Sequence, residues 1–175
     1  MRTFRIFLSL LLAAAGTLVF LSAGKTKECP CKLRGFINYE DTSSVKVLAK
    51  PNGKVTGLLK GGEEPILLRV KASKRGWLQL DSISGEPEGN VLGGWVPGNV
   101  VGIYTRNYDG GSLALYKGPG ADTGEAGMLW GMQEVSVEGC CNGWALVKGK
   151  TREGKALKGW LSPEMQCAKP DGACN

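Results

Sequence analysis

Six cysteines, many carboxylates and no histidine define the chemistry open to this chain of 175 residues. The missing histidine removes the commonest general base and the commonest metal ligand. Neither a Cys-His pair nor a Ser-His-Asp arrangement can be built without it. Glu63, Glu64, Glu86, Glu88, Glu125, Glu134 and Glu138 remain, and two carboxylates suffice to flank a sugar bond. Most of these lie beside Gly, Pro or Lys in predicted loops, where solvated charge is the ordinary reading. Gly61-Gly62, Gly93-Gly94 and Gly110-Gly111 read as turns, and none opens a helix as a phosphate cradle must. No catalytic residue is assigned and no cofactor is expected.

The cysteines come in couples: Cys29 with Cys31, Cys140 with Cys141, and Cys167 with Cys174. Cys-Pro-Cys and Cys-Cys bring thiols close enough to consider a metal. However, the chain has no histidine and lacks the two-residue spacing of zinc knuckles, so no metal site is assigned. Disulfides are the expected state in an oxidising compartment, and six thiols allow 15 pairings. One attractive set ties the first couple to the C-terminal tail and Cys140 or Cys141 to Cys167.

The aromatic residues divide by context. Four of the five tryptophans follow a glycine, in RGWLQL, GGWVPGNV, NGWALV and KGWLSPEM. Trp95 and Trp160 sit in what reads as a closing strand, where a large ring belongs in a small core. Trp77 and Trp144 start strands, where a ring covers one end of the core and keeps an edge wet. Trp130 differs, because its counterpart in the other half of the sequence is Lys60, a residue expected to face solvent, so its ring is either a contact between the halves or an exposed binding ring. Tyr104, Arg106 and Tyr108 lie in the short link between the halves, and Tyr116 in the first turn of the second half. The candidate ligand-binding residues are therefore Trp130, Tyr104, Arg106, Tyr108, Tyr116, Trp77 and Trp144. A groove at the junction is the default place for a ligand.

The elements that must hold these residues begin after the leader. Arg2 and Arg5 precede an uncharged apolar run at residues 6–23 that ends in small residues. This reads as a secretory signal, although the run is long enough to serve as a membrane anchor. The remainder is expected to be exported, periplasmic or secreted, with membrane contact only if the leader is retained. Removing Arg2 and Arg5 takes the formal charge from +6 to +4, and the excess is scattered rather than clustered among aromatics. A nucleic-acid partner is not expected.

Beyond the leader, one pattern occurs twice. Trp144 repeats Trp77 after 67 positions, and Trp160 repeats Trp95 after 65. Gly57-Leu58-Leu59-Lys60-Gly61 answers Gly127-Met128-Leu129-Trp130-Gly131, and Lys50-Pro51-Asn52-Gly53 answers Lys117-Gly118-Pro119-Gly120 as turns. Short apolar runs at 55–60, 65–70, 77–80, 125–130, 134–137 and 144–147 read as strands between these turns. No segment beyond the leader keeps a helical period, so the class is all-β.

The ordered set of Pro-Gly turn, Gly-Leu-Leu-x-Gly, Gly-Trp-x-x-Leu and Gly-Trp-Val-x-x-x-x-Val resembles the bacterial SH3-like domain. The resemblance covers about residues 45–104 and 113–165. It departs from the family pattern in a long insertion at 81–93 and in Cys140-Cys141 before the second copy's first Gly-Trp. It implies two small SH3-like β-barrels in tandem after an N-terminal signal segment. The expected boundaries are 1–24 for the signal or anchor, 25–38 for a Cys-containing segment, 39–106 and 107–168 for the two copies, and 169–175 for a Cys-containing tail. It further implies a non-enzymatic binding module for a cell-envelope component, either cell-wall peptidoglycan or an envelope protein. The rival is a periplasmic inhibitor or immunity protein that blocks a toxin or hydrolase, presenting a protruding loop at 82–92 or 148–157.

Overall fold

The halves of the chain are stitched together by a strand that lies in the Cys-containing segment ahead of both. A computed structural model describes residues 29–38 and 43–169. The signal or anchor expected at 1–24 and the last residues of the tail lie outside the described residues. Residues Cys29–Ile37 form β1, in which Cys31 and Leu33 point inward while Lys32 and Arg34 face water. Beyond Arg34 the alternation stops, and Gly35, Phe36 and Ile37 are all buried. At that point β1 has a strand on each side.

The other strands are β2 (Ser44–Leu48), β3 (Val55–Lys60), β4 (Leu67–Lys74), β5 (Trp77–Ile83), β6 (Glu88–Gly89) and β7 (Trp95–Pro97). Next along the chain come β8 (Val101–Thr105), β9 (Ser112–Tyr116), β10 (Glu125–Trp130), β11 (Glu134–Cys141), β12 (Trp144–Lys150), β13 (Ala156–Leu161) and β14 (Gln166–Cys167). The class is all-β, as the turn-punctuated sequence implies. The runs at 55–60 and 125–130 form β3 and β10, whereas the run at 65–70 enters its strand two residues later.

All strands join one antiparallel sheet in the order β10-β9-β13-β12-β11-β8-β1-β4-β5-β7-β2-β3-β6, with β14 against β8. No pairing among the described residues closes either half on itself. The order β1-β4-β5-β7-β2-β3 in the first half has its match in β8-β11-β12-β13-β9-β10 in the second. Register agrees as well. Phe36 lies opposite both Leu67 and Gly102, and Tyr104, at the matching place in β8, lies opposite Glu134 and Cys167. Thus β14 sits against β8 as β8 sits against β1.

The glycines before the tryptophans have two separate causes. Lys74 pairs with Trp77 and Cys141 with Trp144, leaving Arg75-Gly76 and Asn142-Gly143 as two-residue turns. All four residues have φ between 50° and 89°, the geometry that matches the twist of a tight hairpin. The second glycine of each half is instead a point of close approach. A Cβ on Gly94 would meet the Val47 side chain at 2.4 Å, and one on Gly159 would meet Leu115 at 2.8 Å.

Buried residues of both halves form one core, which includes Leu33, Ile37, Val47, Leu59, Leu78 and Val96 together with Ile103, Leu115, Leu129, Val135, Val147 and Leu161. Where β8 ends, β1 and β11 approach directly. Cys29–Cys141 and Cys31–Cys140 are disulfides with Cα separations of 5.1 and 5.5 Å, and the Asn142 N–H donates to the Pro30 carbonyl at 2.8 Å. This corrects the expected linkage: the first couple meets the middle couple, not the tail. The reason is the sheet order, which lays the N-terminal half of β1 beside the C-terminal end of β11. Cys167 is oxidised too, with a partner outside the described residues.

Closing a loop of this length removes about 4.7 kcal/mol of chain entropy from the unfolded state. The two bridges are nested, at separations of 112 and 109 residues, so with one in place the other closes only a small ring. Replacing Cys29 and Cys141 by serine should therefore cost far less than replacing all four cysteines. Urea unfolding checks this, with the fourfold variant expected to lose roughly 2–5 kcal/mol; equal losses in the two variants would contradict the nesting argument.

Candidate functional site

The hairpin turn at Arg75-Gly76 decides where Trp77 goes. It starts β5 with Trp77 paired to Lys74 on one side and to Pro97 on the other. Pro97 lacks an N–H and leads into a 3-10 turn at Gly98–Val100. The Trp77 ring therefore stands at the end of the sheet, half-buried, beside Pro97 and Val100. Strand β2 supplies the opposite wall through Ser44, Val45, Lys46 and Leu48. The result is an open groove of ≈ 400 Å³, apolar along its floor, with Ser44 and the exposed Lys46 as its polar groups.

Such a groove suits an extended chain with an apolar or ring-bearing residue against Trp77 and a carboxylate toward Lys46. Lys46 is the one charged side chain of its lining, which holds no carboxylate. Among the described residues, no group of three or more Cys, Asp or Glu could hold a metal ion. Glu153, whose carboxyl has a displaced pKa, lies elsewhere. A hydrogen bond from the Thr151 hydroxyl holds it below the usual range on an exposed turn.

Register locates the same place in the second half. Leu48 pairs with Trp95, and Tyr116 with Trp160. Tyr116 and Trp144 therefore occupy the positions of Leu48 and Trp77. Their rings meet edge to face with centroids 5.4 Å apart and planes at 89°. What is a groove beside Trp77 is thus a packed ring pair beside Trp144.

The remaining candidates are dispersed. Trp130 ends β10, is 39% exposed, and carries the Arg152 guanidinium 4.5 Å from its ring centroid. Tyr104 stacks on Phe36 across the seam at 5.8 Å, an interface role. The Arg106 backbone N–H donates to the Met165 carbonyl at 2.8 Å, and Tyr108 is 56% exposed. Neither Tyr104, Arg106 nor Tyr108 lines the Trp77 groove. Trp95 is buried at 5%, whereas Trp160 is only partly covered. Sequence reasoning missed Lys46, Leu48, Pro97 and Val100, although Pro97 and Val100 stand inside the GGWVPGNV motif, two and five residues after Trp95.

No known protein family matches the chain, and neither does any curated protein. Among solved structures it is similar to NlpC1 from Trichomonas vaginalis, with 15% identity over 93% of this chain and 51% of that one, and a TM-score of 0.34. NlpC2 from the same organism is 13% identical over 83% of this chain and 51% of that one, with a TM-score of 0.33. The chain spans about half the length of either.

The ring pair should be energetically coupled. In a double-mutant cycle of Tyr116→Leu and Trp144→Leu, the interaction term is expected at about 0.5–1.5 kcal/mol. Chemical unfolding of the four proteins measures it, and additive losses would contradict the packing described.

Proposed function

We propose that the chain is an exported, non-enzymatic binding protein made of two SH3-like units, and that it holds an extended peptide of the cell envelope. The peptide stems of peptidoglycan are the ligand class. The observation that carries this reading is the Trp77 groove, a built apolar slot that combines an aromatic wall, a proline and one cation with no acid–base pair. Its second-half counterpart is the edge-to-face pair of Trp144 with Tyr116 at the matching position.

The matched strand order of the two halves supports two SH3-like units, here fused edge to edge through β1 and β8. Disulfides joining β1 to β11 are compatible with an oxidising compartment and therefore with export. The inhibitor reading calls for a loop that stands away from the body. Both candidate loops are tied back instead: residues 88–89 pair with β3, and Arg152 rests on Trp130. That favours the groove.

Purified sacculi incubated with the protein should retain it, and soluble stem peptide should release it. Trp77→Ala should weaken retention by about tenfold or more, the effect of truncating an aromatic anchor. Its unfolding midpoint should move little, because the ring is half-buried at a sheet end. Retention unchanged by Trp77→Ala, or capture of envelope proteins with none on sacculi, would overturn the peptidoglycan assignment.

A further inference from the structure

The two halves treat one matching sheet edge differently. In the first half, the chain after β5 leaves the hairpin at Ser84 and folds over, so that β6 covers the outer edge of β3. Glu88 pairs with Leu58 and Gly89 with Gly57, while the Asn90 N–H donates to the Thr56 carbonyl at 2.9 Å. The Glu88 carboxylate also meets Lys60 Nζ at 2.5 Å. In the second half, β12 and β13 stay paired as far as Lys150 and Ala156, and a short turn closes them. That connection lays Arg152 over the Trp130 ring, and the Gln133 side-chain amide donates to the Trp130 carbonyl at 2.9 Å, but among the described residues no strand pairs with the outer edge of β10.

Strand β10 matches β3 residue by residue through register: Trp130 pairs with Ser112 as Lys60 pairs with Ser44, and Leu129 with Leu113 as Leu59 with Val45. Among the described residues, β10 is the last strand of the sheet on this side. Its outward residues are unusually apolar for an open edge. Met128 is 45% exposed, Trp130 39%, and Met132, just beyond, 45%. Protein edges are ordinarily protected by charge, proline or a covering segment, and the first half uses the last of these.

Charge along β10 is arranged end to end. Glu125 and Asp122 lie at its start, and at its finish the Arg152 guanidinium lies over Trp130, restoring a cation where the first half has Lys60. Glu153, its carboxylate accepting from the Thr151 hydroxyl at 2.9 Å, sets a negative charge beside that arginine, and the exposed Lys150, whose carbonyl shares the Gln133 amide with that of Trp130, offsets it. A strand that is acidic at one end and basic at the other is complementary to its own antiparallel copy.

We propose that β10 pairs antiparallel with β10 of a second copy, giving a two-fold dimer joined through a continuous sheet. In this pairing Glu125 takes the part that Glu88 plays within the first half and meets Arg152 of the other molecule. Met128 and Trp130 of both copies are covered at the same time. Such an interface is isologous, so every contact occurs twice and the assembly stops at two. It is also small, with six residues of strand on each side, and the dimer should be weak and depend on concentration. It uses no residue of the Trp77 groove and does not rest on the function proposed above.

Sedimentation equilibrium over a range of concentrations tests this with one pair of variants. The unmodified chain should rise from monomer toward dimer. Glu125→Arg alone, or Arg152→Glu alone, puts like charges together at both contacts and should remain monomeric at the same concentrations. Mixing the two variants restores opposite charges at both contacts, so the mixture should dimerise although neither component does. Both substitutions are on exposed residues, and circular dichroism of each variant checks that the fold is kept. A chain that is monomeric throughout would overturn the proposal and leave the edge to a foreign strand. A dimer indifferent to both charge reversals would overturn it equally, by placing the contact elsewhere.

Discussion

The structure depends on β1 being held between two strands that belong to different halves of the chain. Its C-terminal end is paired with β4 on one edge and with β8 on the other. Its N-terminal end, where β8 no longer reaches, is fixed to β11 by two disulfides and the Asn142-to-Pro30 hydrogen bond. Backbone groups buried at Gly35, Phe36 and Ile37 need partners on both sides, and these strands provide them. The 3-10 turn at Gly98–Val100 fills the remaining gap, where even a Cβ on Gly98 would come within 2.4 Å of the Val137 carbonyl. Without β1, β4 and β8 would each present an open edge over an apolar interior.

From that seam the two halves run outward in the same strand order but reach different ends. Differences in a few residues account for the divergence. Leu48 beside Trp77 leaves a groove, whereas Tyr116 beside Trp144 fills the equivalent space. Lys60 is matched by Trp130, and the cation lost there returns on the hairpin as Arg152. The stretch that covers the β3 edge in the first half becomes, in the second, part of a straight hairpin, and among the described residues no strand pairs with the outer edge of β10. One half thus presents a recessed apolar slot and the other an exposed apolar edge.

The sequence made plain what local chemistry controls. Turns at Lys50-Pro51-Asn52-Gly53 and Lys117-Gly118-Pro119-Gly120, the repeated Gly-Trp pairs, and the absence of helical periodicity identified an all-β chain with two similar stretches. What stayed hidden was set by contacts distant in sequence. Cys29 meets Cys141 only because β8 lies between β1 and β11 and is shorter than both, and no spacing rule encodes that. Likewise, the groove takes Lys46 and Leu48 from β2, Trp77 from β5 and Pro97 from β7, three strands separated by loops of unequal length. The lysine in the matching place left Trp130 open between a contact of the halves and an exposed ring, and the ring is 39% exposed. Its arginine partner was not legible, because Arg152 arrives from another hairpin.

If β1 and its disulfides make one cooperative body of the two halves, no opening short of global unfolding should separate them. Native-state hydrogen exchange under increasing denaturant measures this most directly. Amides of Phe36, Val101, Ile103, Val135 and Val147 should converge on one opening free energy and one denaturant dependence. Exchange of one half through an opening that leaves the other protected would contradict it, and would make the chain two independent bodies in contact.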